Sequence, residues 1–502
     1  MTSSPSSSSE LTILDLPDVV LDLFRRAERP LLPGATGEPG LFIRYLRRKS
    51  GRGLAVIYSL SERGAALAAR KAQASDPNRA VSLTLDEKAL EGAHIRFGKA
   101  EVAQAALKIE STGVLEAADL GLSVQAFPAD SGLPTLAASC NTRSGTALFA
   151  ALSAAAHTQL GDSAWNLLAA RAIPVRYKPA SRCVIRYELE LERASRRGKE
   201  QRKLTIFGKV YAEPEQAKAI QTEMQRLYKE QTRQGQPFLP RPLGLLDALG
   251  LTLNEAIEAP DFDGLREPTY TGTRLLHPVI IRGRGGEFQD AIVFDSTFTD
   301  TAAILARLHT STVRPAGAPR SGAKEAKRAR ERAGLIAARN SAQADEVQRL
   351  AGQLAERLET LVPTEYRPAH GGFKASQLLY HSHQAFVVDF DGFCLADPAL
   401  DVGYFLAYLR PGGLWYQKPG TRQWFEKAAS IFLQGYRDAM LAREVSPEEV
   451  EGILERVPYY EAALLFKIAT RRVNRLNSPR PQELAAMLQE IAACLSTETR
   501  RD

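Results

Sequence analysis

Cysteine, tryptophan and methionine are scarce in this chain of 502 residues, which contains four Cys, three Trp and four Met. The cysteines lie far apart and no C-x-x-C pair occurs, so the sequence predicts neither a zinc site nor a disulfide framework. A reducing compartment, the cytoplasm, is therefore expected. The four are Cys140, Cys183, Cys394 and Cys494.

Long hydrophobic runs are also missing. The longest nearly apolar run, residues 146–156, is too short to cross a bilayer, so no membrane association is expected. The first ten residues, MTSSPSSSSE, have neither a basic nor an apolar region, which argues against a secretory signal. We expect residues 1–12 to form a disordered tail.

Basic residues exceed acidic ones only slightly, 65 against 58, for a net charge of +7. Such an excess fits binding of an anion such as a nucleotide, but a scattered excess without function is the favoured interpretation. The few tryptophans and the lack of an RNA-binding aromatic motif argue against a nucleic-acid partner.

A hydrophobic content of 44% and a charged content of 25% are typical of a globular protein. The length allows two to four domains.

An acidic cluster follows a short apolar segment, residues 385–388, which is predicted to be a strand. Carboxylates at the end of a buried strand are costly unless they bind a cation or cap backbone amides. The first acid after the strand is therefore the strongest metal-ligand candidate of the chain, and the acid two residues later is a candidate second ligand or a support of the first. The cluster consists of Asp389, Asp391, Asp397 and Asp401.

The strings around this cluster resemble motifs of known phosphotransferases. They are HGG at 370–372, VDF at 388–390 and ADPALD at 396–401. They are similar to the H-G-D, I-D-F and G-D-P-A-x-D motifs of the aminoglycoside and choline phosphotransferase superfamily, especially its maltokinase-like branch. The resemblance spans about residues 173–476. It implies an α+β, two-lobed protein-kinase-like fold, with an antiparallel sheet in the N-lobe and a mainly helical C-lobe.

Two positions depart from the motifs of this superfamily. Gly372 stands where the catalytic aspartate is expected, and Gln377 stands where the metal-binding asparagine is expected. The resemblance implies that Asp389 binds magnesium, with Gln377 as a candidate second ligand. It also implies that Lys374 stabilises charge on the transferred phosphate. Asp391, or the substrate itself, would replace the missing base.

A strand–turn–strand pattern, a third strand and a helix precede this region. In the kinase fold a lysine on the third strand holds the nucleotide phosphates, and a glutamate on the helix orients it. The resemblance implies these roles for Lys209 and Glu223, with Glu215 as an alternative partner of the lysine. In the first turn, backbone amides with Lys178 or Arg182 would cradle phosphates, unless the turn is an ordinary basic hairpin.

The order of predicted elements divides the chain into five segments. Within the last segment, residues 291–294 are predicted to be a strand, and the basic stretch 315–329, which contains Pro and Gly, is predicted to be a solvated linker. The segments are the tail (1–12), an α+β cap with an antiparallel sheet (13–140), a helical connector (141–170), a kinase-like N-lobe (171–259) and a helical C-lobe (260–502).

Three functions stay open at this point. The first is transfer of phosphate from ATP, with magnesium, to a small hydroxyl-bearing substrate by altered catalytic machinery. The second is a pseudokinase that binds nucleotide or a protein partner, and the third is transfer of another group, such as a nucleotidyl group. Gly372 and Gln377 favour the pseudokinase, whereas Lys209, Lys374 and Asp389 favour nucleotide binding.

Overall fold

A computed structural model describes most of the chain, and it divides into two compact units. The first unit comprises residues 1–221 and 242–255, and the second comprises residues 222–241 and 256–502. The predicted tail lies largely outside the described residues. Those residues are 11–29, 31, 39–49, 53–66, 76–91, 94–195, 198–235, 237–257, 291–381, 384–410, 421–473 and 481–496.

A six-stranded antiparallel sheet and short helices form the N-terminal part of the first unit, with strand order β1-β2-β3-β8-β7-β6. Alternate residues of β2, including Val56 and Tyr58, share a core with Leu16 and Leu23 of α1, as the period-2 and helical patterns predict. The strands are β1 (Pro39–Lys49), β2 (Gly53–Glu62), β3 (Ala80–Leu85), β4 (Leu90–Glu91), β5 (His94–Ile95), β6 (Lys108–Ile109), β7 (Leu115–Ala117) and β8 (Leu122–Ala126). The helices are α1 (Leu16–Arg26), α2 (Lys99–Gln104) and α3 (Leu136–Ser139).

A five-stranded antiparallel sheet completes the first unit, in the order β12-β13-β11-β10-β9. Helix α4 contributes Leu148 and Leu152 to the core of this sheet, against Cys183 and Ile185 of β10. A long helix, α5, follows the third strand, as the sequence predicts. The elements are α4 (Ala147–Leu160), β9 (Asn166–Lys178), β10 (Arg182–Ser195), β11 (Gly198–Tyr211), α5 (Pro214–Arg233), β12 (Pro242–Leu246) and β13 (Leu251–Glu255).

Asp130 joins the two sheets of the first unit. Its side chain is 1% exposed, and its Oδ2 accepts hydrogen bonds from the Tyr177 hydroxyl at 2.7 Å and the Ala180 amide at 2.9 Å. The chain approaches so closely here that a Cβ on Gly132 would lie 2.5 Å from Cα of Ala180. The turn between β9 and β10 is therefore held by the segment that follows the first sheet.

We expect Asp130→Ala to lower the free energy of unfolding by about 2–4 kcal/mol, because it leaves the Tyr177 hydroxyl and the Ala180 amide without their acceptor. Urea unfolding of the full chain measures this loss. Asp22→Ala is the control, because its ion pair with Arg25 is exposed and such pairs contribute about 0–1 kcal/mol. Equal effects of the two substitutions would contradict the role of Asp130.

The second unit is mainly helical, with two small two-stranded antiparallel sheets beside the acidic cluster. The predicted α+β class with antiparallel sheets is thus confirmed. No helix of the described residues is long and apolar enough to cross a membrane. The helices are α6 (Ala291–His309), α7 (Gly322–Ala337), α8 (Ala344–Thr360), α9 (Ala399–Leu409), α10 (Thr421–Leu441), α11 (Pro447–Val473) and α12 (Leu484–Leu495), and the strands are β14 (Arg367–Ala369), β15 (Leu378–His381), β16 (Gln384–Val387) and β17 (Cys394–Ala396).

Three predicted elements differ in the structure. Residues 291–294, predicted to be a strand, begin α6, and the end of the predicted connector, residues 166–170, belongs to β9. The predicted linker 315–329 ends inside α7, where Ala326 and Ala329 are fully buried. A narrow stripe of alanines is a weak hydrophobic signal, which explains the wrong prediction. The predicted boundary at residue 260 lies outside the described residues.

Candidate functional site

The β15–β16 hairpin brings Gln377 and Asp389 together. Leu378 pairs with Val387, so the residues that flank the hairpin are neighbours, and the Val388 amide donates to the Gln377 carbonyl at 2.9 Å. The side-chain Nε2 of Gln377 donates to Asp389 Oδ2 at 3.3 Å. Two predicted metal-site residues thus share one end of the hairpin.

Asp389 has an unusual backbone conformation. Its φ of 70° and ψ of 55° are left-handed, a conformation that aspartate tolerates better than most residues. Non-glycine residues in such regions cost about 1–3 kcal/mol and cluster at functional sites. In this conformation the half-buried carboxylate of Asp389 contacts the side chain of Gln377.

His370 is structural in this arrangement. Its ring is 1% exposed, and Nε2 lies 3.1 Å from the carbonyl of Val388, so Nε2 carries the proton. Burial lowers the pKa of His370 and outweighs the raising effect of the nearby Asp401. The lowered pKa favours the neutral ring. His370 therefore ties the candidate catalytic loop (residues 370–374) to the strand end that precedes Asp389.

Asp401 fixes the path of the candidate catalytic loop. Its fully buried carboxylate accepts the backbone amides of His370 at 2.5 Å and Phe373 at 3.4 Å. Nε2 of His309 lies 3.6 Å from Oδ2. Burial acts to raise the pKa of Asp401, but His309, His370 and the Phe373 amide together lower it. Asp397, also buried, instead pairs with Arg456 at 2.6 Å.

The two glycines of the loop differ in kind. Gly371 has a φ of 72°, and a Cβ there would lie 2.1 Å from the carbonyl oxygen of Gly392, so only glycine fits. A Cβ on Gly372 would meet no atom of the described residues within 4 Å, and Gly372 has no left-handed backbone. The position expected to carry the catalytic aspartate therefore has room for a side chain.

Arg320 is a supporting residue that the sequence analysis missed. Its guanidinium donates to the Gly371 carbonyl at 2.7 Å, to Glu325 at 2.7 Å and to the Tyr404 hydroxyl. Arg320 lies within the stretch predicted to be a solvated linker. Only the buried positions of α7, at helical spacing, could have indicated its setting from the sequence.

Glu325 is the fully buried partner of Arg320. Burial acts to raise its pKa, but Arg320 and neighbouring arginines lower it from 4.5 to about 2. A depressed pKa stabilises the fold above the unfolded value, and this stabilisation is lost as the pH falls from about 4.5 towards 2.

We expect Glu325→Gln to remove this pH dependence, which corresponds to about 3 kcal/mol of unfolding free energy. Urea unfolding between pH 6 and pH 3 measures this pH dependence. The difference in unfolding free energy between wild type and variant should become smaller as the pH falls. Glu331→Gln, which removes an exposed carboxylate of the same helix, is the control. A gap that stays constant with pH would refute the coupling.

The other two candidate catalytic side chains are Lys374, in the candidate catalytic loop, and Asp391, which follows Asp389. Lys374 is half-buried, and its Nζ lies 5.3 Å from the ring centroid of Tyr408, a cation–π distance. Asp391 is half-buried within the short 3₁₀ turn Phe390–Gly392. The catalytic roles of Lys374 and Asp391 stay predictions.

The candidate phosphate-binding residues belong to the first unit. Lys209 lies on β11 on the opposite face from the buried Ile206 and Val210, and its Nζ lies 5.3 Å from the ring centroid of Tyr211. Lys178 and Arg182 face each other across the β9–β10 turn. The Ala180 amide of this turn donates to Asp130, so it is already engaged.

Glu223 lies on α5 in the part that belongs to the second unit. Its Oε1 accepts the Ala316 amide at 3.0 Å, and burial raises the pKa of Glu223 despite this bond. The alternative residue, Glu215, is exposed and lies in the first unit. The structure thus assigns Glu223 a bond within its own unit, and the predicted partnership with Lys209 stays a prediction.

The donor atoms next to Asp389 suit a hard cation. Oε1 of Gln377 is buried and has no hydrogen-bond partner among the described residues. The side chains of Gln377 and Asp389, which touch through the amide nitrogen, also offer an amide oxygen and a carboxylate, the oxygen ligands that magnesium prefers. No group of three or more His, Cys, Asp or Glu residues suited to a metal occurs in the described part of the chain.

Comparison with known proteins gives one family. The model described as "Phosphotransferase enzyme family" matches residues 192–442. No curated protein matches the chain. Similar solved structures include a glucosamine kinase in complex with glucosamine, ADP and inorganic phosphate, which is 18% identical, with 71% of this chain and 86% of that chain covered and a TM-score of 0.42.

Two further structures are similar to the chain. One is a choline/ethanolamine kinase family protein from Mesorhizobium loti, 13% identical, with 62% of this chain and 85% of that chain covered and a TM-score of 0.36. The other is a choline kinase from Streptococcus pneumoniae, 12% identical, with 70% of this chain and 99% of that chain covered and a TM-score of 0.36.

Proposed function

Because the chain belongs to the phosphotransferase enzyme family, we propose that it binds ATP with magnesium and transfers phosphate to a small hydroxyl-bearing substrate. Its catalytic loop lacks the usual carboxylate, because Gly372 stands in that place. The loop itself is built without that carboxylate, since its bonds to Asp401, Arg320 and the Val388 carbonyl do not involve residue 372.

The pair of Gln377 and Asp389 is the observation that carries this proposal. A buried amide oxygen without a partner among the described residues is unusual, and here it belongs to the residue that touches a left-handed Asp389. In this proposal Gln377 Oε1 and the Asp389 carboxylate would be the protein ligands of magnesium. When bound, magnesium would neutralise charge on the nucleotide phosphates.

The other roles follow the family motifs residue by residue. Lys209 would bind the nucleotide phosphates, oriented by Glu223, and Lys178 or Arg182 would add charge at the β9–β10 turn. Lys374 would stabilise charge on the transferred phosphate. Asp391, two residues after Asp389, or a basic group of the acceptor would take the hydroxyl proton.

We expect the wild-type protein to bind ATP only with magnesium, and Asp389→Asn to weaken this binding by at least about tenfold, the range seen when groups around a metal are lost. Asparagine also tolerates the left-handed backbone conformation, so this substitution removes the negative charge without disturbing the backbone. Isothermal titration calorimetry with and without magnesium measures it.

Asp438→Asn provides the control, because Asp438 is an exposed residue of α10 whose carboxylate accepts a hydrogen bond from the neighbouring Gln434 side chain. It should bind ATP as the wild type does. If the wild type binds no ATP under either condition, nucleotide binding is wrong and a scaffold role replaces it.

We expect Gly372→Asp to raise the rate of ATP turnover, by up to the roughly 100- to 10,000-fold that a positioned base contributes. The side chain has room, so the variant should fold as the wild type does. Steady-state ADP release with a panel of sugars and amino alcohols measures the gain, and Gly372→Asn separates charge from size.

Fast turnover by the wild type that Gly372→Asp leaves unchanged would show that another residue already serves as base, and Asp391→Asn would then identify it. No gain in a variant that binds ATP would instead favour a pseudokinase. The glycine at position 372 is the specific observation behind that second candidate, because such a protein needs the loop's shape but not its carboxylate.

A further inference from the structure

Lys467, on α11, is a half-buried lysine whose Nζ has no hydrogen-bond acceptor among the described residues. The Nζ atom lies 5.6 Å from the ring centroid of Tyr404. The guanidinium of Arg320 lies 5.2 Å from the same centroid. Two cations therefore approach one buried tyrosine of α9.

The surroundings of Lys467 are dominated by positive charge. The charges that act on it most strongly are Arg471 of α11, Arg332 of α7, Arg320 and one carboxylate, Glu325. Burial, followed by the three arginines, lowers the pKa of Lys467 from 10.5 to about 7. An ammonium group in this setting is unfavourable unless an anion accompanies it.

Glu325 does not supply that anion. Its Oε1 accepts from Arg320 at 2.7 Å and from Arg328 at 2.6 Å, and its Oε2 accepts the Tyr404 hydroxyl at 3.2 Å. The carboxylate is thus shared by two arginines and is engaged without Lys467. An excess of cations is left where α7, α9 and α11 meet.

We propose that Lys467, with Arg332 and Arg471, forms an anion-binding site that takes a phosphate, sulfate or carboxylate group. Arg332 uses one NH1 donor on the Ala463 carbonyl at 3.0 Å, which leaves further donors of its guanidinium for a ligand. The site is linked to the candidate catalytic loop, because Arg320 also donates to the Gly371 carbonyl.

The anion has two possible sources with the same chemistry. It is either a free anion that acts as an effector, or an anionic group carried by the acceptor, and this second source rests on the proposed function. An acceptor held by such a group would lie on the side of Tyr404 and Arg320, and Arg320 contacts the candidate catalytic loop at Gly371. Binding of the anion itself does not depend on phosphate transfer.

The site can be tested by calorimetric titration of the full chain with sulfate, in the absence of nucleotide, at pH 6 and pH 9. Sulfate keeps its charge across this range, so a change in affinity with pH reflects a change in the protonation of the protein. We expect weaker binding at pH 9, because Lys467 loses its proton. We expect Lys467→Met to weaken binding at pH 6 by about tenfold to a hundredfold, the value of a charged hydrogen bond.

Two variants make the test specific. Lys467→Arg should retain binding and lose most of the pH dependence, because arginine stays protonated. Lys327→Met removes an exposed lysine of α7 and should leave sulfate affinity unchanged. No sulfate binding by the wild type at pH 6, equal affinity in Lys467→Met, or unchanged pH dependence in Lys467→Arg would each overturn the proposal.

Competition against sulfate separates the two sources. Glucose and glucose 6-phosphate serve as a neutral and an anionic hydroxyl compound, beside inorganic phosphate. Tighter binding of the sugar phosphate than of inorganic phosphate supports an acceptor-borne anion, and equal binding supports a free effector. Failure of ATP binding would refute the proposed function alone, because sulfate binding is measured without nucleotide.

Discussion

A single buried carboxylate, that of Asp401, holds the candidate catalytic loop in place. It accepts backbone amides from both ends of the turn, at His370 and Phe373, and its charge is supported by His309. Backbone amides do not depend on which side chain the residue carries. The loop can therefore keep its path whatever residue stands at position 372.

A second support reaches the same loop from the other side. Arg320 connects the Gly371 carbonyl to Glu325 and Tyr404, so the buried ion pair at the start of α7 and the loop form one network. Buried pairs of this kind lose several kcal/mol when one partner is removed. The same arginine also approaches the ring that Lys467 faces. Loop geometry and the electrostatics of the anion-binding site are thus coupled through Arg320.

The sequence was informative where chemistry follows local order. Asp389 could be singled out because an acid directly after an apolar strand has few structural explanations, and the contact with Gln377 follows from hairpin register. Arg320 could not be found in this way, because two of its three partners, Gly371 and Tyr404, are 51 and 84 residues away along the chain. The α7 region was misread as a linker because alanines, rather than large apolar residues, cover its buried face.

The two loop glycines show what a missing side chain can and cannot reveal. Gly371 is required by a left-handed backbone and by the Gly392 carbonyl, so its identity follows from the fold. Gly372 touches nothing that a Cβ would displace among the described residues, so packing does not explain the absence of a side chain there. The fold therefore does not dictate glycine at position 372. A loop braced by Asp401 and Arg320 keeps its path without any contribution from a side chain there.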